Sequence, residues 1–564
     1  MRDRIVRVLA VVWTAVLVAS AGGCAAAREP LGPASGPVTV VVCRSLSARD
    51  IAGAGGAAAL KAVADRGAAA LVARSPHGGA TLRESLAGLP VALVDAGDAA
   101  AAPKAVVAAV RRVLDADPGA TVVVLSDPDG AEGGLVVAAG PGIGRGLLAS
   151  RSTHRAGLLA HEDVVTLVRS LASSETTRAR AAVFVAPVDD AIEALAQREA
   201  YFEAARTAQP PLVIAFGVIA CLAVLALWAL ALLPLASASR GYWTVVSLRA
   251  LLFALSLPSA TLLARVLDMY PQSPPRLLTL VLGVAGVLWI AAMALMERRG
   301  PSAAIAATCV ATAAVLAADQ LLGAPLSPGT ALAYAPLAGF RFYGIGNEGA
   351  AVFVGSWLAA SALAHGLLPG RSWKRVTLVS GAVVVAVSSL PVLGANSVVA
   401  AWGTVVVGVF VTEALRGRVR GRDIAAVGVA AVAAMAFVVA VERLTGAGTH
   451  VGAAAAQAEA GGGPLPVVLD RLSAVIRSYA AHPASLAGFL AWALLFVARF
   501  QAPRPFAGIL DARRGVRAAA TAALVGGAVA SLTEDSSVVV MVLLVLYAAV
   551  ALAGVSAQVV RKEA

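Results

Sequence analysis

The chain has 564 residues, of which 59% are hydrophobic and only 14% are charged, and its formal net charge is +12. A soluble protein of this length has no need of so much apolar surface, so we expect most of the chain to lie in lipid. The positive charge does not indicate nucleic-acid binding, because the arginines stand in short loops between long apolar segments.

Residues 1–24 have the pattern of a targeting segment. Basic residues at the start precede an apolar run from Val8 to Ala19, and small residues follow that run. The sequence Ala21-Gly-Gly-Cys24 resembles a lipobox, so we expect either that the segment is cleaved and Cys24 carries lipid, or that it stays as a first membrane anchor. Both outcomes place the residues that follow outside the cytoplasm.

Residues 30–208 are the soluble-looking part of the chain and predict a small extracytoplasmic α/β domain. Val38–Val42, Thr121–Leu125 and Leu135–Ala139 are short apolar runs of the kind that forms buried strands. Between them, Ala57–Ala69 and Lys104–Leu114 have apolar residues at helical spacing. Strands that alternate with helices predict an α/β sheet.

This domain resembles the alkaline phosphatase-like superfamily over roughly residues 38–172. The resemblance rests on the first strand, a helix ending in Val63–Ala70, the sequence Ser152-Thr-His-Arg-Ala-Gly-Leu-Leu159 and the following Glu162–Leu167. It implies a two-metal site for phosphoryl or sulfuryl transfer, with a serine or threonine nucleophile. It also implies an aspartate just after the first strand and an Asp-His pair after a later strand.

The residues that this resemblance requires are missing. Cys43-Arg44-Ser45 follows the first strand without a carboxylate, and Asp127 and Asp129 follow the later strand without an adjacent histidine. Two divalent metals cannot be held there at ordinary coordination. We therefore expect a non-catalytic domain for binding or scaffolding, with no metal and no cofactor. The residues left from such a site are Ser75, Thr81 and His154.

Residues 209–564 predict a polytopic all-α transmembrane bundle of about eleven helices. From Pro210 onward, apolar segments recur at the length that crosses about 30 Å of hydrocarbon. Arg249 and Pro258 interrupt the second segment. The predicted segments are Leu212–Leu235, Val245–Leu267, Leu277–Met296, Ala303–Leu322, Ala350–Leu368, Val376–Leu393, Val398–Leu415, Ile424–Val441, Ala484–Phe500, Ala518–Leu532 and Val538–Val559.

The basic residues predict the orientation of this bundle in the plasma membrane. If residues 30–208 are outside, alternate loops face the cytoplasm, and those loops hold the arginines, as the positive-inside rule requires. The C-terminus is then cytoplasmic. The basic residues on that side are Arg240, Arg298, Arg299, Arg371, Lys374, Arg375, Arg416, Arg418, Arg420, Arg422, Arg504, Arg513, Arg514, Arg517, Arg561 and Lys562.

Four polar segments fall on the outer side in this orientation. They are the decapeptide Gly339–Glu348, the turn at Asn396, the loop at His450 and the turn 533–537. We expect them to converge in one outward-facing vestibule that binds substrate. The candidate binding residues are Arg341, Tyr343, Asn347, Glu348, Asn396, His450, Glu534 and Asp535.

The chemistry of these side chains indicates their roles. An arginine at 341 can bind a phosphate or carboxylate with two hydrogen bonds. Glu348 and His450 are the candidates for acid/base work. Each also has an ordinary interpretation: the decapeptide as a membrane-surface loop, Glu348 as a first-turn helix residue favoured by the helix dipole, and His450 as a solvated loop residue.

The segment 341–348 belongs to a wider pattern. It reads Arg-Phe-Tyr-Gly-Ile-Gly-Asn-Glu and is followed by a Gly-Ala-Asn turn, a Thr-His-Val-Gly loop and an Asp-Ser-Ser turn. This pattern resembles a family of polytopic membrane proteins of Gram-positive bacteria, several of which have an alkaline phosphatase-like domain ahead of their helices. The resemblance covers most of residues 210–537 and implies the architecture, without a settled activity.

Three functions remain open from the sequence. The first is binding or moving an anionic or lipid-linked envelope precursor, with Asp319 as the ionisable residue for coupling unless it caps its helix. The second is an outer-leaflet transferase or ligase acting on a polyprenyl-phosphate-linked substrate, with Glu348 or His450 as base. The third is a non-catalytic envelope scaffold. The first and third are preferred, because no catalytic residue is secure; the lipid bilayer is the expected partner, and the oligomeric state is open.

Overall fold

The computed structural model describes residues 29–563 except for 32–36, 45, 54–57, 76–80, 97–101, 128–132, 173–181, 234–235, 334, 340, 369, 446–468, 470–472, 474, 478, 480–483, 502–503 and 535. The predicted targeting segment 1–24, with Cys24, and the candidate residues His450 and Asp535 lie outside the described residues. The chain divides into an α/β unit and a helical unit. The α/β unit runs to Thr207 and also includes Tyr270–Leu277 and Tyr334–Tyr343; the helical unit includes the rest.

One sheet of nine strands forms the centre of the α/β unit in the described part of the chain. Its spatial order is β1-β9-β7-β8-β3-β6-β5-β2-β4. The strand β2 pairs in parallel with β4 and β5, whereas β6 is antiparallel to both of its neighbours. The strands are β1 (Glu29–Pro30), β2 (Val38–Arg44), β3 (Ala68–Val72), β4 (Ala92–Asp95), β5 (Thr121–Asp127), β6 (Gly134–Ala139), β7 (Gly146–Ser150), β8 (Leu158–Leu159) and β9 (Val183–Ala186).

Helices cover both faces of this sheet. Side chains alternate between the faces along β2, so that Val41 and Cys43 face one hydrophobic core while Val40 and Val42 face the other. The first core is covered by α1 (Ala48–Ala52), α2 (Ala58–Ala64), α4 (Ala102–Ala116) and the start of α6 (Ala191–Leu232). The second core is covered by α3 (Leu82–Leu86) and α5 (His161–Ala172). The sheet with helices on its faces confirms the predicted α/β class of this region.

The prediction of one helix over Ala57–Ala69 is wrong at its C-terminal end. The helix α2 ends at Ala64, and Ala68–Val72 forms the buried strand β3, which pairs with β6. The two elements are joined by a tight turn at Gly67, where a Cβ atom would overlap the Ala138 carbonyl oxygen. A run of alanines fits the 3.6-residue period of a helix as well as the two-residue period of a strand. The run Ala68-Ala-Ala70 therefore does not indicate that the helix has ended.

The helical unit begins within α6, which continues from the α/β unit to Leu232. Helices lie at all eleven predicted positions of this region. After α6 they are α7 (Ser237–Leu267), α8 (Pro274–Arg299), α9 (Pro301–Leu321), α10 (Asn347–Ala364), α11 (Gly370–Ser389), α12 (Val399–Arg416), α13 (Gly421–Thr445), α14 (Ala484–Phe500), a short α15 (Arg504–Ala512), α16 (Arg514–Thr533) and α17 (Ser537–Glu563).

Eight helices among the described residues are long and apolar enough to cross a membrane, so the count of eleven is not confirmed. The three that do not qualify are α10, α11 and α14. The helix α14 has only 17 residues. The helix α10 opens on Asn347 and Glu348, and α11 has three basic residues in its first two turns. Nearly every side chain of α10 is nevertheless buried, because the neighbouring helices α9, α16 and α17 surround it.

Candidate functional site

The decapeptide Gly339–Glu348 is divided between the two units. Its residues up to Tyr343 belong to the α/β unit, and Gly344 and the following residues belong to the helical unit. The structure therefore assigns Arg341 and Tyr343 to one unit, and Asn347 and Glu348 to the other. The sequence treats all four as one motif.

The segment 335–343 is part of the α/β unit through its own contacts. Leu337 is buried in the first hydrophobic core, and Phe342 packs against the same core. The carbonyl oxygen of Phe342 accepts a hydrogen bond from Arg155 Nε at 2.6 Å. The ring of Tyr343 lies 4.2 Å, centroid to centroid, from that of His154. Both Arg341 and Tyr343 are half-buried there.

Glycines allow the helical part of the motif to approach two other loops. Gly344 has a φ of +76°, and a Cβ atom on it would overlap the carbonyl oxygen of Gly394. That same carbonyl accepts a hydrogen bond from Ile345 N at 2.7 Å. A Cβ atom on Gly349 would overlap the Leu332 carbonyl oxygen. The start of α10 is thus held directly against the turn between α11 and α12.

This approach joins three of the polar segments by hydrogen bonds. Asn396 Nδ2 donates to Asn347 Oδ1 at 2.9 Å, and Asn347 Nδ2 donates to Ser536 Oγ at 3.2 Å. Asn347 is 5% exposed and Asn396 is 3% exposed. The start of α10, the α11–α12 turn and the α16–α17 turn therefore meet at one buried point.

A buried carboxylate lies in the same α16–α17 turn. Glu534 Oε1 accepts a hydrogen bond from Trp402 Nε1, on the first turn of α12, at 2.8 Å. Both side chains are buried. We call the five residues Asn347, Asn396, Trp402, Glu534 and Ser536 the polar cluster. Glu348 lies next to it in sequence, half-buried on the first turn of α10.

Asp319 has a local structural role. Its carboxylate accepts hydrogen bonds from Leu326 N at 2.7 Å and from the hydroxyl of Ser327. Arg265 on α7 donates to the carbonyl oxygens of Leu326 and Pro328 at 2.7 and 2.8 Å. Asp319 and Arg265 together close the loop that follows α9.

The three residues left from a phosphatase-like site, Ser75, Thr81 and His154, each have a different structural role. Thr81 caps α3 by accepting a hydrogen bond from Glu84 N, and His154 packs against Tyr343. Ser75 lines a cavity of about 400 Å³ together with Ser85 and His161, whose Oγ and Nε2 atoms are 3.4 Å apart. Among the described residues, no three His, Cys, Asp or Glu side chains are placed to hold a metal ion.

The carboxylate of Asp163 holds the loop 150–160 in place through several hydrogen bonds. Its Oδ2 atom accepts hydrogen bonds from Ser150 Oγ, Ser152 Oγ and Ala160 N at 2.7, 2.5 and 2.8 Å. The carboxylate is buried and lies in the first turn of α5. It therefore holds the loop that presents His154 and Arg155 to segment 335–343.

Sequence reasoning missed Trp402 and Ser536. A tryptophan near a helix end is usually an interfacial anchor, and the sequence does not distinguish Ser536 from Ser537 in the Asp-Ser-Ser turn. The spacing between the Asn396 turn and Trp402 places this side chain one turn into α12, which was the only indication available.

The polar cluster offers amide donors and acceptors beside a carboxylate, within a bundle of apolar helices. Such groups bind polar or phosphorylated headgroups through several simultaneous hydrogen bonds, and a carboxylate can also carry a proton. Comparison of the chain with protein-family models, curated proteins and solved structures finds no match.

Proposed function

We propose that this multi-pass membrane protein binds, and moves across the helical unit, an anionic or lipid-linked precursor of the cell envelope, with the α/β unit as a non-catalytic recruiting module. Eight helices among the described residues are long and apolar enough to cross a membrane, which is consistent with an integral membrane protein. The observation that carries the finer proposal is the hydrogen-bonded chain from the buried Asn396 through the buried Asn347 to the half-buried Ser536.

The polar cluster supports this proposal because polar groups are costly in a lipid-embedded bundle. Interhelical hydrogen bonds between such side chains stabilise a membrane protein by only about 0.6 kcal/mol on average. Packing alone therefore explains them poorly, whereas substrate pathways regularly contain them. Three separate polar segments of the sequence supply the cluster, and each of them follows or precedes a helix.

The α/β unit supports a recruiting role through Arg341 and Tyr343. Both side chains are half-buried, and an arginine can bind a phosphate or carboxylate group with two hydrogen bonds. Both residues lie in a segment that the helical unit continues directly at Gly344. The segment that carries Arg341 and Tyr343 is therefore joined to α10 by a short stretch of chain.

A non-catalytic scaffold is the second candidate. The observation that favours it is that both polar atoms of the Asn347 side chain, Oδ1 and Nδ2, already form hydrogen bonds with Asn396 and Ser536. In a scaffold, the polar cluster only holds α10, α12 and α16 together.

A complementation experiment in the native host separates these functions. A deletion strain receives wild type, Asn347→Asp or Glu348→Gln, with Arg298→Gln at an exposed position on α8 as the control, and its lipid-linked intermediates and envelope polymers are quantified. Asn347→Asp keeps the shape of the side chain and removes the donor to Ser536. We expect a lipid-linked intermediate to accumulate with Asn347→Asp at a normal protein level.

Other results would assign other functions. Loss of a polymer product with Glu348→Gln alone would indicate a transferase that uses this carboxylate as a base. Normal intermediates and polymers with both variants, at normal protein levels, would indicate a scaffold and overturn the proposal.

A further inference from the structure

A set of charged side chains lies at the ends of α12 and α16 that are far from the polar cluster, together with the end of α14. Glu413 is in the last turn of α12, Arg499 is in the last turn of α14 and Arg517 is in the first turn of α16. Because a helix rises about 1.5 Å per residue, Glu413 lies about 16 Å from Trp402 along α12. The two sets share no residue.

Two arginines hold one oxygen of the Glu413 carboxylate. Arg499 Nη2 donates to Glu413 Oε1 at 2.7 Å, and Arg517 Nε lies 3.4 Å from the same oxygen. Arg499 Nε also donates to Thr521 Oγ1 at 2.9 Å, and Arg517 Nη2 donates to the Gly417 carbonyl oxygen at 2.8 Å. These contacts fix both guanidinium groups in position before any ligand arrives.

The other oxygen of this carboxylate is buried, and no described residue donates a hydrogen bond to it. Glu413 is only 2% exposed, and its Oε2 atom has no hydrogen-bond partner within the part of the chain that the structure describes. A buried acceptor without a hydrogen bond is costly, and more so when it is charged. The position is therefore suited to a donor that a ligand brings.

Glu413 is one of the residues that line a cavity of about 750 Å³. This volume is in the range of small-molecule sites. Three arginines and two carboxylates line it, so the charged lining has a net charge of +1. The other lining residues are largely apolar. The charged lining residues are Glu413, Arg418, Arg499, Asp511 and Arg517.

A smaller basic cavity adjoins it through Arg418. This second cavity has a volume of about 290 Å³ and is lined by the arginines of the α12–α13 loop and by Asp423. Asp423 forms an ion pair with Arg416. Arg418 is exposed, so it is placed to contact a ligand without supporting the fold.

From this geometry we propose that the 750 Å³ cavity binds a phosphate ester that also carries a hydroxyl or amino group. Arg418, Arg499 and Arg517 hold the phosphate, since guanidinium groups bind phosphate oxygens with paired hydrogen bonds. Glu413 Oε2 accepts a hydrogen bond from the hydroxyl or amino group. Basic pockets between membrane helices are known to hold phospholipid headgroups, and a free phosphoester has the same chemistry.

This site is independent of the proposed function, because it uses neither the polar cluster nor the α/β unit. The full-length protein in a neutral detergent is titrated by calorimetry with two probes, dihexanoyl-phosphatidylglycerol as the lipid and glycerol 1-phosphate as the free phosphoester. We expect saturable binding with wild type. We expect affinity at least about tenfold weaker with Arg418→Gln and with Arg517→Gln, because each loses a hydrogen bond to a charged group.

The control variant is Arg298→Gln, which removes the same charge from an exposed position on α8 and should bind like wild type. Arg418→Gln keeps the test valid if Arg517→Gln fails to fold. Competition by glycerol 1-phosphate would identify a site for the phosphoester itself, and binding of the lipid alone would identify a lipid headgroup site; both support the proposal. It is overturned if neither probe saturates, or if Arg418→Gln binds as tightly as Arg298→Gln.

Discussion

Asn347 and Asn396 hydrogen-bond to each other through their carboxamides, and each of these side chains offers both a donor and an acceptor. In a bundle of apolar helices this matters more than at a surface, because no water replaces a lost partner. An asparagine pair can therefore exchange its partners with a polar ligand without leaving a group unsatisfied. A hydrophobic pair of similar size would pack as well but could not do so.

The bond from Trp402 to Glu534 leads to a stability prediction. Trp402→Phe keeps most of the buried ring volume and removes the donor to a buried carboxylate. We expect the free energy of unfolding to fall by about 1.5–3 kcal/mol, the range for hydrogen bonds to charged groups. The measurement is the midpoint of thermal denaturation in detergent. Trp243→Phe, at a tryptophan that is 53% exposed, serves as the control, and equal midpoints for the two variants would contradict the prediction.

Cys43 leads to a prediction about thiol reactivity in the α/β unit. Burial raises the pKa of this thiol to about 12, from an ordinary value near 9. Thiolate is the reactive form, so a maleimide at pH 8 should leave Cys43 unmodified in the folded protein and modify it after denaturation. Peptide mass spectrometry locates the label. Rapid modification of Cys43 in the native protein would show that the first core is open to solvent.

The same raised pKa sets the sign of a pH effect. Between pH 9 and about 12 the unfolded chain loses the Cys43 proton while the folded chain keeps it. The unfolded state is favoured increasingly over this range, so the contribution of Cys43 to stability is unchanged below pH 9 and falls above it. Cys43→Ala should remove this part of the alkaline destabilisation, and a stability profile identical to that of wild type would contradict the assignment.

At the scale of elements, segment 335–343 is the least expected feature. It lies between two helices of the helical unit in sequence, yet it completes the core of the α/β unit. A backbone hydrogen bond holds the segment beside the sheet: Arg74 N donates to the Leu337 carbonyl oxygen at 3.2 Å. A Cβ atom on Gly133 would meet the Leu337 side chain at 2.8 Å, so the glycine leaves room for the insertion.

The insertion predicts that a mutation distant in sequence weakens the α/β unit. Leu337→Ala removes a buried side chain from the first core, and a buried leucine truncated to alanine typically lowers stability by about 2–5 kcal/mol. Limited proteolysis of the full-length protein should then cut the α/β unit faster than in wild type. Leu322→Ala, at an exposed leucine, is the control. Equal rates of cleavage within the α/β unit for both variants would show that the segment is dispensable.

How far the sequence predicts these elements depends on how distinct each local pattern is. The predicted runs Val38–Val42, Thr121–Leu125 and Leu135–Ala139 lie within the strands β2, β5 and β6, since β-branched side chains favour the extended backbone. The alanine run of β3 has no such preference. For the candidate site, Asn396 and the 533–537 turn could be grouped with Asn347 from loop position alone. The division of the motif after Tyr343 could not be predicted from the sequence, because it depends on contacts with residues almost 190 positions earlier.

The charge distribution acts at the scale of the whole molecule. The ends of α8 and α12 and the starts of α11 and α16 carry arginines, while the turns 390–398 and 534–537 at the opposite helix ends carry none. Arginine is costly to transfer across a bilayer, so a net excess at one end of the helices determines which end stays in the cytoplasm. From this distribution we propose that the polar cluster faces outward and that the Glu413 cavity faces the cytoplasm. A molecule handled at both sites would meet amide groups on one side of the membrane and guanidinium groups on the other.

Single-cysteine labelling tests this orientation. The four native cysteines are replaced by serine, and one cysteine is introduced at Val392→Cys, in the exposed part of the α11–α12 turn, or at Arg298→Cys, at the exposed end of α8. A membrane-impermeant maleimide should label Val392→Cys in intact cells and Arg298→Cys only after the membrane is permeabilised. The reverse pattern would place the polar cluster in the cytoplasm. An envelope precursor made inside the cell would then meet Asn347 and Asn396 before the Glu413 cavity, which is the reverse of the order that the arginines indicate.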